Sequence, residues 1–364
     1  MSGRADGGSG GGGSNWGARM RVLVVKTSSL GDVVHTLPAV TDAAAAIPGI
    51  RFDWVVEEAF AEIPAWHPAV ERVIPIALRR WRKDWKVAFD SGEIRAFSQD
   101  LRQSSYDLII DAQGLLFKSA LVAMLAKGPR AGYDRSSARD PWAAPTYKRR
   151  FTISREQHAI ARVRQLFAKA LDYALSDSDP NYGLATKKKD PAQAGAAPYL
   201  VFLHGTTWPS KHWFEYRWSE LIKLATQQGF AIHLPWGGDS EKARAERLAA
   251  TDPSAQILPK MNLLELAQEL RGAAGVVGLD SGLSHLAAAL DVPGVTLYGP
   301  THTALTGVLG QHHCNLMTDY SCAPCLKKIC DHADQAGESA ACFNSLPPET
   351  VWQALVDQMS GAAA

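Results

Sequence analysis

Residues 271–301, RGAAGVVGLDSGLSHLAAALDVPGVTLYGPT, constrain the fold more than any other part of the chain. Residues 276–279 are a short apolar run suited to a strand buried on both faces. Asp280-Ser281-Gly282 interrupts it with turn residues, and residues 283–290 resume in helical composition. Asp291-Val292-Pro293-Gly294 closes that helix, and residues 295–298 read as the next strand. Strand, tight turn, helix, strand is the building block of a parallel sheet. Ligands of such sheets sit off the carboxyl ends of the strands, where helix N-termini point unpaired N–H groups outward. Asp280, Ser281, Gly282 and His285 occupy that place.

The same alternation runs through both halves. In the first, strands are expected at 21–25, 52–56, 73–76 and 108–111, with helices at 33–46, 93–103, from Gln113-Gly114 through Lys127, and 156–173. Residues 78–86, LRRWRKDWK, read as a basic loop, and 130–150 as irregular. In the second half strands are expected at 199–203, 230–234 and near Ile257, helices at 219–228, 241–250, 263–271 and 348–359. A chain of 364 residues exceeds one ordinary core. The expected organisation is a glycine-rich disordered leader (1–19), a first Rossmann-like domain (20–175), a linker with a Lys187-Lys188-Lys189 run (176–198), a second Rossmann-like domain (199–346), and a terminal helix (347–364) returning to the first domain. This is an α/β architecture of two parallel sheets facing across a cleft.

Charge divides the same way. Residues 20–175 carry 23 Lys+Arg against 17 Asp+Glu, and from Ser176 onward the balance is 13 against 19. One half is therefore basic and the other acidic, which points to different partners for each. No apolar run approaches the roughly 18–20 residues of a membrane span. The five cysteines, Cys314, Cys322, Cys325, Cys330 and Cys342, all fall within one late segment, unlike a secreted disulfide scaffold.

Several loops carry groups that do chemistry. His204 to Lys211, HGTTWPSK, offers hydroxyls and a cation suited to a diphosphate, or is a surface loop with a solvated lysine. Glu241, at a helix start after Gly237-Gly238, either accepts ribose hydroxyls or complements the helix dipole. Met261 flanks a base or packs in a core. In Ser29-Leu30-Gly31-Asp32, Asp32 is either the far end of a helix cap or a general base at the edge of the first strand. Arg79, Arg80, Arg82 and Lys83, interleaved with Trp81 and Trp85, form a solvated face, a nucleic-acid contact or a site for an anionic substrate. The near-neutral net charge of +1 weighs against nucleic acid.

Residues 20–39, MRVLVVKTSSLGDVVHTLPA, and 278–301, GLDSGLSHLAAALDVPGVTLYGPT, together resemble the lipopolysaccharide heptosyltransferases. The intervening LRRWRKDW, HGTTWPSKHW and LPWGGDSEKARAERL are similar to the members that act on the first core position. The resemblance implies the GT-B fold and an inverting transfer of L-glycero-D-manno-heptose from ADP-heptose to the first Kdo of Kdo-lipid A. It makes Asp32 the base and places Thr206, Thr207 and Lys211 at the donor diphosphate, Glu241 at the ribose and Met261 at the adenine. Asp280, Ser281, Gly282, Leu283 and His285 then hold the heptose and phosphates, with Ser281 standing where relatives often have threonine. Arg79, Arg80, Arg82, Lys83 and Arg139 match basic positions near the acceptor's carboxylates and phosphates. It further implies no required cofactor, no nucleic-acid partner, and a cytoplasmic enzyme working at the inner face of the membrane. Cys322, Cys325, Cys330 and Cys342 offer four thiolates to a structural zinc, although free thiols are the first expectation. The alternatives are transfer to the second core position, a sugar-nucleotide epimerase, and a nucleotide-binding scaffold without turnover.

Overall fold

The computed structural model describes residues 20–184, 198–332 and 340–363. The glycine-rich leader and the Lys187-Lys188-Lys189 run lie outside the described residues. The first lobe contains β1 (Arg21–Val25), β2 (Arg51–Glu57), β3 (Val70–Ile76), β4 (Leu108–Asp111), β5 (Arg130–Tyr133) and β6 (Arg149–Phe151). The second contains β7 (Tyr199–Leu203), β8 (Ala231–Leu234), β9 (Ala255–Ile257), β10 (Gly275–Leu279), β11 (Gly294–Tyr298) and β12 (His313–Met317).

Each lobe is one six-stranded sheet, ordered β3-β2-β1-β4-β5-β6 and β12-β11-β10-β7-β8-β9, with every described pairing parallel. Counted from its own first strand, each sheet has the same order, so each reverses direction between its first and fourth strands. Doubly wound sheets bind ligands at that reversal. In the first lobe it lies between β1 and β4, in the second between β7 and β10. The central strands are apolar enough to be buried on both faces: β4, β10 and β11 are buried throughout.

Several sequence expectations need correction. The 33–46 helix is two helices, Leu30–Val34 and Leu37–Ala46, parted at His35 and Thr36 with Pro38 in the first turn of the second. The basic loop is helical, as Leu78–Trp81 and then Trp85–Asp90, whose N-cap Asp84 accepts from Val87 N. The stretch after Gly114 makes one wide turn, Leu116–Ala120, before the Leu121–Leu125 helix. Residues 130–151 contain two strands, β5 and the edge strand β6, and the cysteine segment opens with β12.

The terminal helix, Pro348–Ala363, does not return to the first lobe. It packs on β10, β11, β12 and the Glu215–Gln227 helix, burying Val351 and Leu355 in the second lobe's core. The reason is a fitted groove. A Cβ at Gly275 would lie 3.0 Å from Leu355 Cδ1 and 3.1 Å from Met359 Sδ, so this glycine lets the helix close on the sheet. The first part of the expected linker is also not free chain. Arg164 donates to Ser176 O and Ser178 O, and Tyr182 and Leu184 are buried in the core.

Candidate active site

The loops that follow the switch-point strands meet in the cleft. After β1 and β4, Gln113 Oε1 accepts from Thr27 N at 3.1 Å and Ser28 N at 3.2 Å. After β7 and β10, Thr206 Oγ1 donates to Asp280 O at 3.1 Å. Cross-loop hydrogen bonds thus hold each sheet's crevice in shape.

Asp32 belongs to the Leu30–Val34 helix, and both readings of it have structural content. Oδ2 accepts from Ser29 N at 2.8 Å and from Ser29 Oγ at 3.2 Å, closing the N-terminus of the helix. Oδ1 lies 3.4 Å from Lys26 Nζ, which also donates to Ala112 O at 3.1 Å. Burial opposes ionisation of Asp32, but Lys26, the Ser29 N–H, His35 and Arg139 outweigh it and hold the carboxyl down to about 2. It is a carboxylate throughout the neutral range.

Asp32 lines a cavity of about 940 Å³ together with Arg79, Arg82, Lys118, Arg139 and Glu57. Burial pushes Glu57 up, against the Arg79 N–H that donates to it at 2.9 Å. Arg80 and Lys83 stand apart from the lining of this cavity. Arg80 turns away to a bidentate pair with Glu58 and donates from Nη1 to both oxygens of Glu93, and Lys83 is exposed. Helical geometry explains the division, since neighbouring residues on a helix project about 100° apart.

On the other lobe, Asp280 Oδ2 receives Lys211 Nζ at 2.7 Å and Thr301 Oγ1 at 2.5 Å. Lys211 also lies over the Trp208 ring, 4.6 Å from its centroid. Ser281 is the N-cap of the Gly282–Ala289 helix, and its Oγ is buried with no partner among the described residues. Thr207 is exposed on the same loop as Thr206. Glu241 and Met261 line a second cavity of about 510 Å³ with Trp236, Gly205 and Leu283. Glu241 Oε2 accepts from Gly237 N at 2.7 Å. A Cβ at Gly205 would fall 2.5 Å from Glu241 Oε1, so any larger residue there would make the carboxylate shift. Leu30, Glu58 and Glu62 close this second cavity from the first lobe.

The two lobes touch through their helix N-termini. A Cβ at Gly282 would lie 2.7 Å from Leu30 Cβ and 2.9 Å from Gly31 N, so paired glycines allow the approach. Beside them His35 Nε2 and His285 Nδ1 share a 3.0 Å hydrogen bond between lobes. Burial holds His285 down to about 4 and His35 well below its ordinary value, so the pair is neutral at pH 7. Lys26, Gln113, Thr301 and His35 were not singled out from sequence. Lys26 had a signal in principle, as a lysine at the end of an apolar strand and six positions before an aspartate.

Among the described residues no group of three or more His, Cys, Asp or Glu side chains is arranged to hold a metal, and all five cysteines are free thiols.

The family model of glycosyltransferase family 9 (heptosyltransferase) matches residues 94–335, more than half of the chain. The chain belongs to this family. It is 53% identical over 341 residues to lipopolysaccharide heptosyltransferase 1 of Pseudomonas aeruginosa, covering 91% of this chain and 96% of that protein. It superposes on the Escherichia coli heptosyltransferase WaaC with ADP at a TM-score of 0.82 and 46% identity, covering 93% of this chain and all of that one. WaaC with ADP-2-deoxy-2-fluoro heptose matches at 0.78 and 45% identity, covering 93% and 99%. This family 9 chain is therefore a heptosyltransferase, and its two facing sheets are the GT-B fold. The described residues contain no helix long and apolar enough to cross a membrane.

Proposed function

We propose that this heptosyltransferase moves L-glycero-D-manno-heptose from ADP-heptose to the first Kdo of Kdo-lipid A, inverting the anomeric centre. The observation that carries the reading is the position of Asp32. Its carboxylate lines a cationic cavity in one lobe, while its helix abuts the Gly282–Ala289 helix of the other.

ADP-heptose occupies the second lobe. The adenosine takes the 510 Å³ cavity, with Met261 and Trp236 against the base and Glu241 at the ribose. The diphosphate meets Thr206, Thr207, Lys211, Ser281 and the N-terminus of the Gly282–Ala289 helix, where unpaired N–H groups favour negative charge. Leu283 and His285 complete the wall beside the sugar. The acceptor enters the 940 Å³ cavity, where Arg79, Arg82 and Arg139 face its carboxylates and phosphates. Arg80 and Lys83 contribute field rather than contact.

In the reaction the acceptor hydroxyl oxygen bonds to the anomeric carbon as the bond from that carbon to the diphosphate oxygen breaks. The proton passes to Asp32 Oδ1, and ADP departs with the electron pair. A carboxylate held down to about 2 is a weak base, so it takes the proton only as the forming C–O bond makes the hydroxyl acidic. Lys211 and the helix N-terminus stabilise the charge that grows on the leaving diphosphate. No protein-bound cofactor takes part in this scheme. The enzyme works in the cytoplasm at the inner membrane surface, where its lipid acceptor resides.

The deciding experiment is product analysis by mass spectrometry with ADP-heptose and either Kdo-lipid A or its singly heptosylated form. Heptose added to Kdo-lipid A is the expected product. Transfer only to the heptosylated form would assign the second core position instead, and conversion of donor without acceptor would indicate an epimerase.

A further inference from the structure

The described first lobe leaves seven large apolar side chains exposed, all between Trp85 and Trp142. They are Trp85 (67% exposed), Val87, Phe89 (65%), Phe117 (76%), Leu121, Met124 and Trp142 (71%). Scattered single exposures need no explanation, but a contiguous set does.

These are contiguous by construction. Phe117, Leu121 and Met124 sit at i, i+4 and i+7, one face of the turn and helix that run from Leu116 to Leu125. Phe117 lies at the wall of the acceptor cavity. At the front of that stretch Asp140 Oδ2 accepts from Leu116 N while its Oδ1 accepts from Trp142 N, pinning the Trp142 turn beside Phe117. At the back Arg102 Nε donates to Leu125 O. Arg102 also lines a groove of about 360 Å³ with Phe89 and Arg95, which reaches the Trp85–Asp90 helix. The apolar residues therefore follow a path that starts at the mouth of the cavity.

Cations accompany them: Arg82, Lys83 and Lys86 beside Trp85, Lys118 beside Phe117, and Arg95 and Arg102 beside Phe89. Aromatic and aliphatic tips set among lysines and arginines match the boundary of an anionic bilayer, where rings sit at headgroup level and cations meet lipid phosphates. A protein partner would more readily match a surface poor in lysine, and three of the six cations here, Lys83, Lys86 and Lys118, are lysines.

We propose that this rim is a bilayer-docking surface, seating the first lobe on anionic phospholipid so that the acceptor cavity opens at the headgroup plane. The proposal rests on the reading of the acceptor as membrane-anchored, and it goes beyond it by naming the residues that contact lipid other than the acceptor. Docking supplies a path by which a lipid-bound sugar reaches Asp32 without leaving the bilayer.

The test uses the full chain and vesicles containing no acceptor glycolipid: phosphatidylcholine alone, or phosphatidylcholine with phosphatidylglycerol. Wild type is expected to float with the anionic vesicles. A chain carrying Trp85→Ser, Phe89→Ser, Met124→Ser and Trp142→Ser is expected to lose binding by roughly tenfold or more. Heptose transfer to a deacylated Kdo acceptor should stay within about twofold of wild type, because none of the four is assigned to the catalytic or binding machinery. If the fourfold variant melts early, Trp85→Ser and Trp142→Ser singly give the same comparison with a smaller expected loss. Equal flotation of wild type and variants, or no flotation of wild type, would overturn the proposal. So would a shift from oligomer to monomer in the variant with vesicle binding unchanged, which would make the rim an interface between copies. Failure of wild type to transfer heptose to either acceptor form would count against the proposed reaction alone, since the vesicle assay contains neither substrate.

Discussion

Asp32 caps a helix and, on the proposed reading, also serves as the base. Oδ2 is committed to the Ser29 N–H, so the carboxylate cannot rotate freely, and Oδ1 is left beside Lys26 at the cavity wall. Asp32→Asn keeps a carbonyl oxygen for the cap but removes the proposed base and the counter-charge of buried Lys26. We expect kcat to fall by about 10²–10⁴ and stability to fall by about 2 kcal/mol. Steady-state kinetics beside calorimetry checks both halves, and a variant with near-normal kcat would remove Asp32 from the chemistry. The sequence motif showed that Asp32 was either cap or base, but could not show that its two oxygens divide the roles. Arg80 was harder to read. In a run of four cations within five residues, only the fold reveals that Arg79 and Arg82 line the cavity while Arg80 braces Glu58 and Glu93. Lys26 was hidden for a related reason: at the end of a strand, sequence alone does not distinguish a buried lysine from a solvated one.

At the scale of elements, the contact between the two helix N-termini depends on what is missing from Gly31 and Gly282. Gly282→Ala places a methyl 2.7 Å from Leu30 Cβ, and the lobes must separate locally to admit it. We expect a loss of about 1–3 kcal/mol in stability. A larger KM for ADP-heptose should accompany it, since Leu30 and Leu283 both wall the cavity proposed for the donor. Gly361→Ala, in open space on the terminal helix, serves as the control. An unchanged KM in Gly282→Ala would show that the donor pocket does not depend on this approach. The central strands were legible because runs such as LIID and GVVGL are buried on both faces. The strands β5 and β6 were not: RAGY is only four residues with no apolar run, and RRF is a short charged strand at the sheet edge. The helices within LRRWRKDWK were obscured by the same charges, which say solvent without saying what backbone lies beneath.

For the molecule as a whole, two bulk properties become measurable. His67, His204 and His285 are held down to about 4 and His313 to about 3, each mainly by burial. The unfolded chain takes up these protons near its ordinary value of about 6.5, whereas the folded chain resists. Stability from this source is therefore present above about pH 6.5 and lost as pH falls toward the folded values, on the order of 1.4 kcal/mol per group per unit. Melting temperature should drop steeply between about pH 6.5 and 4. A flat profile across that range would mean these rings are not buried neutral. Charge gives the second expectation. The KM for the proposed lipid acceptor should rise with salt, because Arg79, Arg82, Lys118 and Arg139 line the cavity proposed to receive it. The KM for ADP-heptose should rise less, and kinetics over a salt series would reveal a reversed order. The charge contrast between halves was plain from the sequence. The burial of these histidines was not, because each is enclosed by residues distant in sequence, as Thr41 lies against His67 and Thr296 against His313.

The terminal helix stays on the lobe whose strands precede it, seated where Gly275 leaves room. Among the described residues all strands of the first lobe precede all strands of the second, so the lobes follow one another in sequence. Recombining this chain with a family member of different acceptor preference then requires only one splice between β6 and β7. The seam must be inherited with it: a glycine at each of two facing helix starts, the hydrogen bond shared by His35 and His285, and the bonds from His158 and Tyr182 to Gly307 O and Leu309 O.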